Sequence, residues 1–100
     1  MARAFRFTEK AEKDVDAILS YTLTAWGEAQ AQAYILGLYD LLDLVSENPA
    51  AGRLRPELAP GLRSFPYRKH LVFYVSLEGE VVVVRVLGAR QEIESGRFKR

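Results

Sequence analysis

A single histidine, His70, and a complete lack of cysteine leave this 100-residue chain few groups able to act as nucleophile or base. Without Cys there is no thiolate, no disulfide framework and no zinc site built on sulfur. Ser64 and His70 could be drawn as a nucleophile and its base, but no motif surrounds them. His70 reads instead as a strand residue whose ring bonds a backbone group. The close-spaced carboxylates Asp14 and Asp16, and Asp40 and Asp43, would need to converge in a pocket with separated pKa values to do acid–base work. Their positions on helical patterns set them facing water. There is no glycine-rich phosphate loop and no cluster at metal-ligand spacing, so neither cofactor nor metal is expected.

Cationic side chains are the stronger candidates. Residues 1–50 carry four Lys/Arg and eight Asp/Glu, a balance of −4; residues 51–100 carry ten and five, a balance of +5. Ten of the fourteen basic residues are arginine, suited to planar, bidentate recognition of carboxylate or phosphate. A basic half can face nucleic acid or an acidic protein partner. Arg85 interrupts an apolar strand pattern, on the same face as Val81, Val83 and Leu87 by alternation. Buried alone it would cost several kcal/mol. It therefore either pairs with a carboxylate of the same chain or lies on an open binding face together with Arg63 and Arg90. Arg68 and Lys69 sit at a bend, where charge serves either solubility or a partner. Tyr74 or Tyr67 would line the open face with a wet hydroxyl.

These groups are positioned by a simple run of elements. Alternation over 3–7 predicts a short first strand. Thr8 then caps a helix, with Glu9 and Glu12 favoured by its dipole. Ala11, Val15, Ile18, Leu19, Thr22 and Trp26 recur on one face, and Gly27 ends the helix. A second helix over 28–47 presents Ala31, Tyr34, Ile35, Leu38, Leu41, Leu42 and Val45. Leu36, Tyr39 and Leu44 widen that arc, to be covered by the first helix or by a partner. Asn48-Pro49 stops it, because the residue before proline is pushed out of helical space. Residues 50–60 read as a connecting loop. Strands follow at 62–67, 70–77 and 80–87, with Gly79 supplying the turn. Pro66 places the first of these at an edge or a break, and four consecutive valines mark the last as central. The expected fold is α+β: two layers in the order β-α-α-β-β-β, a helical hairpin on one face of a mainly antiparallel sheet. One domain over 1–100 is expected, with a mobile tail from about 91. No run reaches the ~18 apolar residues of a membrane span, and no apolar leader opens the chain, so a cytoplasmic protein is expected.

The order Tyr34 to Pro49, Gly52-Arg53, Gly61-Leu62-Arg63-Ser64-Phe65-Pro66 and His70-Leu71-Val72-Phe73-Tyr74 resembles the ParE branch of the RelE/ParE toxins. The resemblance spans roughly residues 5–90. It implies the toxin of a type II toxin–antitoxin system that binds DNA gyrase and arrests growth, with no chemistry of its own. It also implies a ParD-like ribbon-helix-helix antitoxin, joined to the toxin in a hetero-oligomer, with DNA reached only through antitoxin or gyrase. Relatives on the RelE side are ribosome-dependent endoribonucleases, which commonly carry a basic residue after the last strand and a Tyr or His-Tyr pair near the C-terminus. Arg90 occupies that basic position, but residues 91–98 contain neither Tyr nor His, and 57–60 lack the lysines frequent in nucleases. The departure favours the gyrase branch over the alternatives, a nuclease or an inactive relic that only binds antitoxin. Target or antitoxin contacts are expected at Arg63, Arg68, Lys69, Tyr74, Arg85 and Arg90. An acidic antitoxin tail would pair with Arg63, Arg85 and Arg90, and Arg85→Glu would weaken that binding while leaving the fold intact.

Overall fold

The computed structural model describes residues 4–88. Its elements are β1 (Phe5–Phe7), α1 (Glu9–Trp26), α2 (Glu28–Glu47), β2 (Arg53–Leu54), β3 (Arg63–Tyr67), β4 (His70–Leu77) and β5 (Glu80–Gly88). The five strands form one sheet in the order β1-β5-β4-β3-β2. β1 runs parallel to β5, and the other three pairings are antiparallel. β2 lies inside what the sequence reads as a connecting loop; its two residues pair with Ser64 and Arg63. They end before Pro66, so the proline sits on the uncovered stretch of β3, where a missing N–H costs no ladder bond.

Local sequence explains each helix end. Thr8 Oγ1 accepts the Ala11 N–H (3.2 Å), the cap its side chain predicts. Gly27 alone joins the two helices: its N–H donates to Leu23 O (3.0 Å) and its φ of 94° belongs to a region that glycine enters without strain. Asn48 closes α2 through a bond from its N–H to Val45 O (3.0 Å).

The helical hairpin covers one face of the sheet. Ala11, Val15, Leu38, Leu42 and Val45 meet Phe65, Val72, Tyr74, Val81, Val83 and Val86 in the main core. Tyr39, off the main stripe of α2, packs against Phe5 and Phe7 of β1 at 5.8 and 6.4 Å between ring centroids. Leu36 and Leu44 stay 53% and 62% exposed, so the wide apolar arc is only partly covered. The other face is not an open cationic surface. Phe73, Val75, Val82, Val84 and Leu87 form a second apolar cluster there, covered by Leu58, Ala59 and Leu62 of the loop before β3. All four consecutive valines are buried, as a central strand covered on both sides requires.

Strict alternation fails at one point in β5. Phe73 pairs with Arg85 while Tyr74 pairs with Val83, so Val84 is an extra residue in the strand. Beyond this bulge Val86 joins the helix-side core and Leu87 the opposite cluster. β1 has ended by then, and α1 takes over the vacated edge of β5. The Thr8 N–H donates to Val83 O (2.9 Å), Thr8 Oγ1 to Val84 O (3.2 Å), and the Val86 N–H to Asp14 Oδ2 (3.0 Å). No helix among the described residues is long and apolar enough to cross a membrane.

Candidate protein-binding groove

α1 outruns the core beneath it. Ala11 and Val15 are buried, Ile18 and Leu19 half-buried, and Tyr21 and Trp26 each 70% exposed. Periodicity puts Trp26 on the same stripe as Ala11 and Val15, but at 70% exposure it is not covered by the core as they are. The result is a groove of about 750 Å³ between the tip of the hairpin and the β3–β4 turn. Ala17, Ile18, Tyr21, Thr22, Trp26, Gln30 and Tyr34 line it from the helices, and Arg68, Lys69 and His70 form the rim at the β3–β4 turn.

The rim is held by a chain of polar and ring contacts. Tyr67 Oη donates to Tyr34 O (2.7 Å), and its ring meets Tyr34 edge-on at 5.0 Å. Arg68 Nε donates to Tyr67 Oη (3.1 Å), and its guanidinium carbon lies 5.5 and 5.9 Å from the Tyr67 and Tyr34 ring centroids, within cation–π range. Arg68 does this from a left-handed backbone (φ 55°), a conformation costing a non-glycine residue about 1 kcal/mol. Among the described residues neither Arg68 nor Lys69 has a carboxylate partner. The His70 ring lies 3.3 Å from Tyr34 Oη through Nδ1, so it bonds a side-chain hydroxyl and not the backbone group expected of it.

Burial lowers the His70 pKa from its ordinary 6.5. The imidazole is therefore neutral at pH 7, beside the cations of Arg68 and Lys69. A folded pKa below the unfolded one makes protonation favour unfolding, so this stability is fully present above 6.5 and is lost as pH falls below it. The urea midpoint should drop between pH 7.5 and 5.5. In His70→Gln that drop should shrink; an unchanged pH slope would show that His70 titrates as an ordinary surface imidazole.

Arg63, Tyr74 and Arg85, three of the other expected contact residues, lie elsewhere, each with work inside the chain. Arg63 Nη1 donates to Gly52 O (2.9 Å) and Ala50 O (3.3 Å), fastening the turn after α2. Tyr74 is fully buried on the helix side, not wet on an open face; its hydroxyl donates to Pro49 O (2.8 Å) and accepts the Gly52 N–H (2.9 Å). Arg85 forms a bidentate pair with Asp14: Nε to Oδ2 at 2.7 Å and Nη2 to Oδ1 at 2.9 Å. That bond is the main reason the Arg85 pKa is raised. Of its two possible roles the intramolecular pair is the one realised, and Asp14 is not a solvated helix residue. Arg85→Glu would set two carboxylates against each other, so it cannot spare the fold. Arg90 lies outside the described residues, as does the tail from 91. Ser64 is buried and bonded by Arg55 Nε (2.9 Å), away from His70. No group of carboxylates and imidazole among the described residues could hold a metal ion.

Residues 5–93 match the family model described as the ParE toxin of the type II toxin–antitoxin system parDE. The chain belongs to the ParE toxin family. Toxin ParE1 of Mycobacterium tuberculosis is 33% identical over 95 residues, covering 94% of this chain and 97% of that protein. Toxin ParE of Escherichia coli is 32% identical over 91 residues, covering 90% and 88%. A chain from the chromosomal ParDE TA system of P. aeruginosa superposes with a TM-score of 0.70 at 20% identity, covering 84% of this chain and 92% of that one. That last likeness is one of fold: two helices on one face of an open five-stranded sheet.

In this ParE toxin, the bend that the sequence places at Arg68 and Lys69 lines one side of the groove. Tyr21, Trp26 and Gln30 went unrecognised because helical spacing reports direction around an axis, not whether anything lies opposite. The available signal was Gly27: an aromatic one residue before a single-residue helix connection sits at the tip of the hairpin.

Proposed function

We propose that this toxin arrests growth in the cytoplasm by binding DNA gyrase, without chemistry of its own, and that a ParD-like antitoxin neutralises it. The observation that carries this reading is a ParE-family chain in which two cations without carboxylate partners among the described residues, Arg68 and Lys69, line one groove with the exposed aromatics Tyr21 and Trp26. The family's description as half of parDE supports the antitoxin partner. His70 is engaged with Tyr34, Ser64 with Arg55, and Asp14 with Arg85, so these groups serve structure. Binding through a surface needs large, rigid side chains and compensated charge, which Tyr21, Trp26, Arg68 and Lys69 supply.

Purified toxin at micromolar concentration, added to gyrase and plasmid, should block supercoiling or trap cleaved DNA, and equimolar antitoxin should restore activity. Untouched gyrase together with cut messenger RNA in a translation mix would overturn the reading in favour of a nuclease.

A further inference from the structure

α2 carries apolar side chains where the solvent side of a helix should be polar. Tyr34, Leu38, Leu42 and Val45 are buried in the core. At about 100° per residue, the face opposite them holds Leu36, Asp40, Leu44 and Glu47, all exposed. Leu36 and Leu44 lie about 12 Å apart along the axis with Asp40 between them. Single exposed leucines are ordinary, but two on the outward stripe of one helix form a patch. The charge of that face is one-sided. α2 has four carboxylates and no Lys or Arg. Asp40 and Glu47 have no cationic partner among the described residues. Glu47 closes the helix at the negative end of its dipole, where Lys or Arg would stabilise it. Stability alone therefore does not account for these residue types.

We propose that the outward face of α2 is a contact surface for gyrase, with Leu36 and Leu44 as apolar anchors and Asp40 and Glu47 paired with lysines or arginines of the target. The inference rests on the gyrase reading and adds a surface and its chemistry. The complement of an acidic, leucine-studded stripe is a cationic surface with apolar hollows. An enzyme that holds DNA must carry Lys and Arg for the phosphates, so gyrase offers that chemistry. Nucleic acid itself and acidic segments are repelled by the carboxylates. A second copy of this chain fits poorly, because two such stripes packed together would set Asp40 and Glu47 against like charges. Two leucines also fall far short of the ~800 Å² per partner that holds a stable dimer. They suffice as one part of a larger footprint on a target, read from one helix face.

The test compares full-length variants for inhibition of supercoiling, affinity for gyrase and affinity for the cognate antitoxin. Leu36→Gln/Leu44→Gln and Asp40→Lys should each raise the half-inhibitory concentration about tenfold while melting like the parent. Glu78→Lys makes the same charge change at the exposed β4–β5 turn and should inhibit like the parent. Glu47→Lys should inhibit less yet melt no lower, because it suits the helix dipole. Antitoxin affinity should be unchanged in all four. Variants of the α2 face that inhibit like the parent would overturn the surface and leave the gyrase reading intact; a parent without effect on gyrase would overturn both. Equal losses in Asp40→Lys and Glu78→Lys would reduce the effect to net charge and overturn the surface too. Weakened antitoxin binding would assign the face to the antitoxin, and a toxin dimer split by Leu36→Gln/Leu44→Gln would assign it to a second copy. Either result overturns the inference.

Discussion

Asp14→Ala is expected to destabilise the protein by about 3 kcal/mol, and to lower the thermal midpoint by roughly 12–20 °C for a domain of this size. Asp14 satisfies three donors at once: Arg85 Nε at 2.7 Å, Arg85 Nη2 at 2.9 Å and the Val86 N–H at 3.0 Å. Breaking a buried pair by removing one partner costs about 3–5 kcal/mol, because the remaining charge keeps its desolvation penalty without compensation. The side chains are 18% and 15% exposed, so water can recover part of that loss and the lower end applies. The vacated Val86 N–H adds its own penalty at an edge that β1 does not reach. Asp14→Asn, which keeps an acceptor but no charge, should fall between alanine and the parent. In a double-mutant cycle with Arg85→Ala, the second substitution should cost much less than it does alone, with a coupling energy of about 1–3 kcal/mol. Circular dichroism melts of the four proteins decide it; a shift under 3 °C for Asp14→Ala would mean the pair is not what holds α1 to the end of β5.

The second large effect centres on Gly52. A Cβ there would lie 2.5 Å from Tyr74 Oη and 2.7 Å from Cε1, and the ring cannot retreat because it is fully buried and bonded at its hydroxyl. Gly52→Ala must either displace the turn or break both hydroxyl bonds, costing about 3 kcal/mol. Tyr74→Phe removes the hydroxyl and leaves Pro49 O and the Gly52 N–H without it, costing about 2 kcal/mol. Together the two should cost less than their sum, because the hydroxyl bonds lost in Tyr74→Phe cannot be lost again and the closest of the contacts goes with the oxygen, while Cε1 and Cζ remain at 2.7 and 2.9 Å. Strict additivity in urea unfolding would show that the close approach is relaxed elsewhere. Burial also pushes the Tyr74 pKa up, opposed in part by the Gly52 N–H and by Arg63. Its proton is thus held more tightly in the fold, and this contribution to stability fades as pH rises above about 10.

Both effects sit on residues whose sequence reading pointed elsewhere. Tyr74 and Arg85 were legible as special, an aromatic and a charge set in apolar strands, but their roles were not. Direction in β5 depended on the extra residue Val84, which no local pattern announces: it shifts the alternation for Val86 and Leu87. Asp14 and Arg85 are 71 residues apart, so their meeting depends on how α1 crosses the sheet. Arg68 and Lys69, at a turn fixed by adjacent strands, were placed correctly because a two-residue connection leaves little freedom.

Apart from the two-residue β2, the sequence by itself determined the elements and their order: the cap at Thr8, the single-residue joint at Gly27, the stop at Asn48-Pro49, the turn at Glu78-Gly79 and the central run of valines. These are set by backbone sterics and periodicity within a few residues. Only the tertiary structure decided which cations are consumed by the fold and which remain for a partner. Charge becomes a contact or a vacancy according to what long-range packing brings within about 3 Å, and that distance is not written in spacing along the chain.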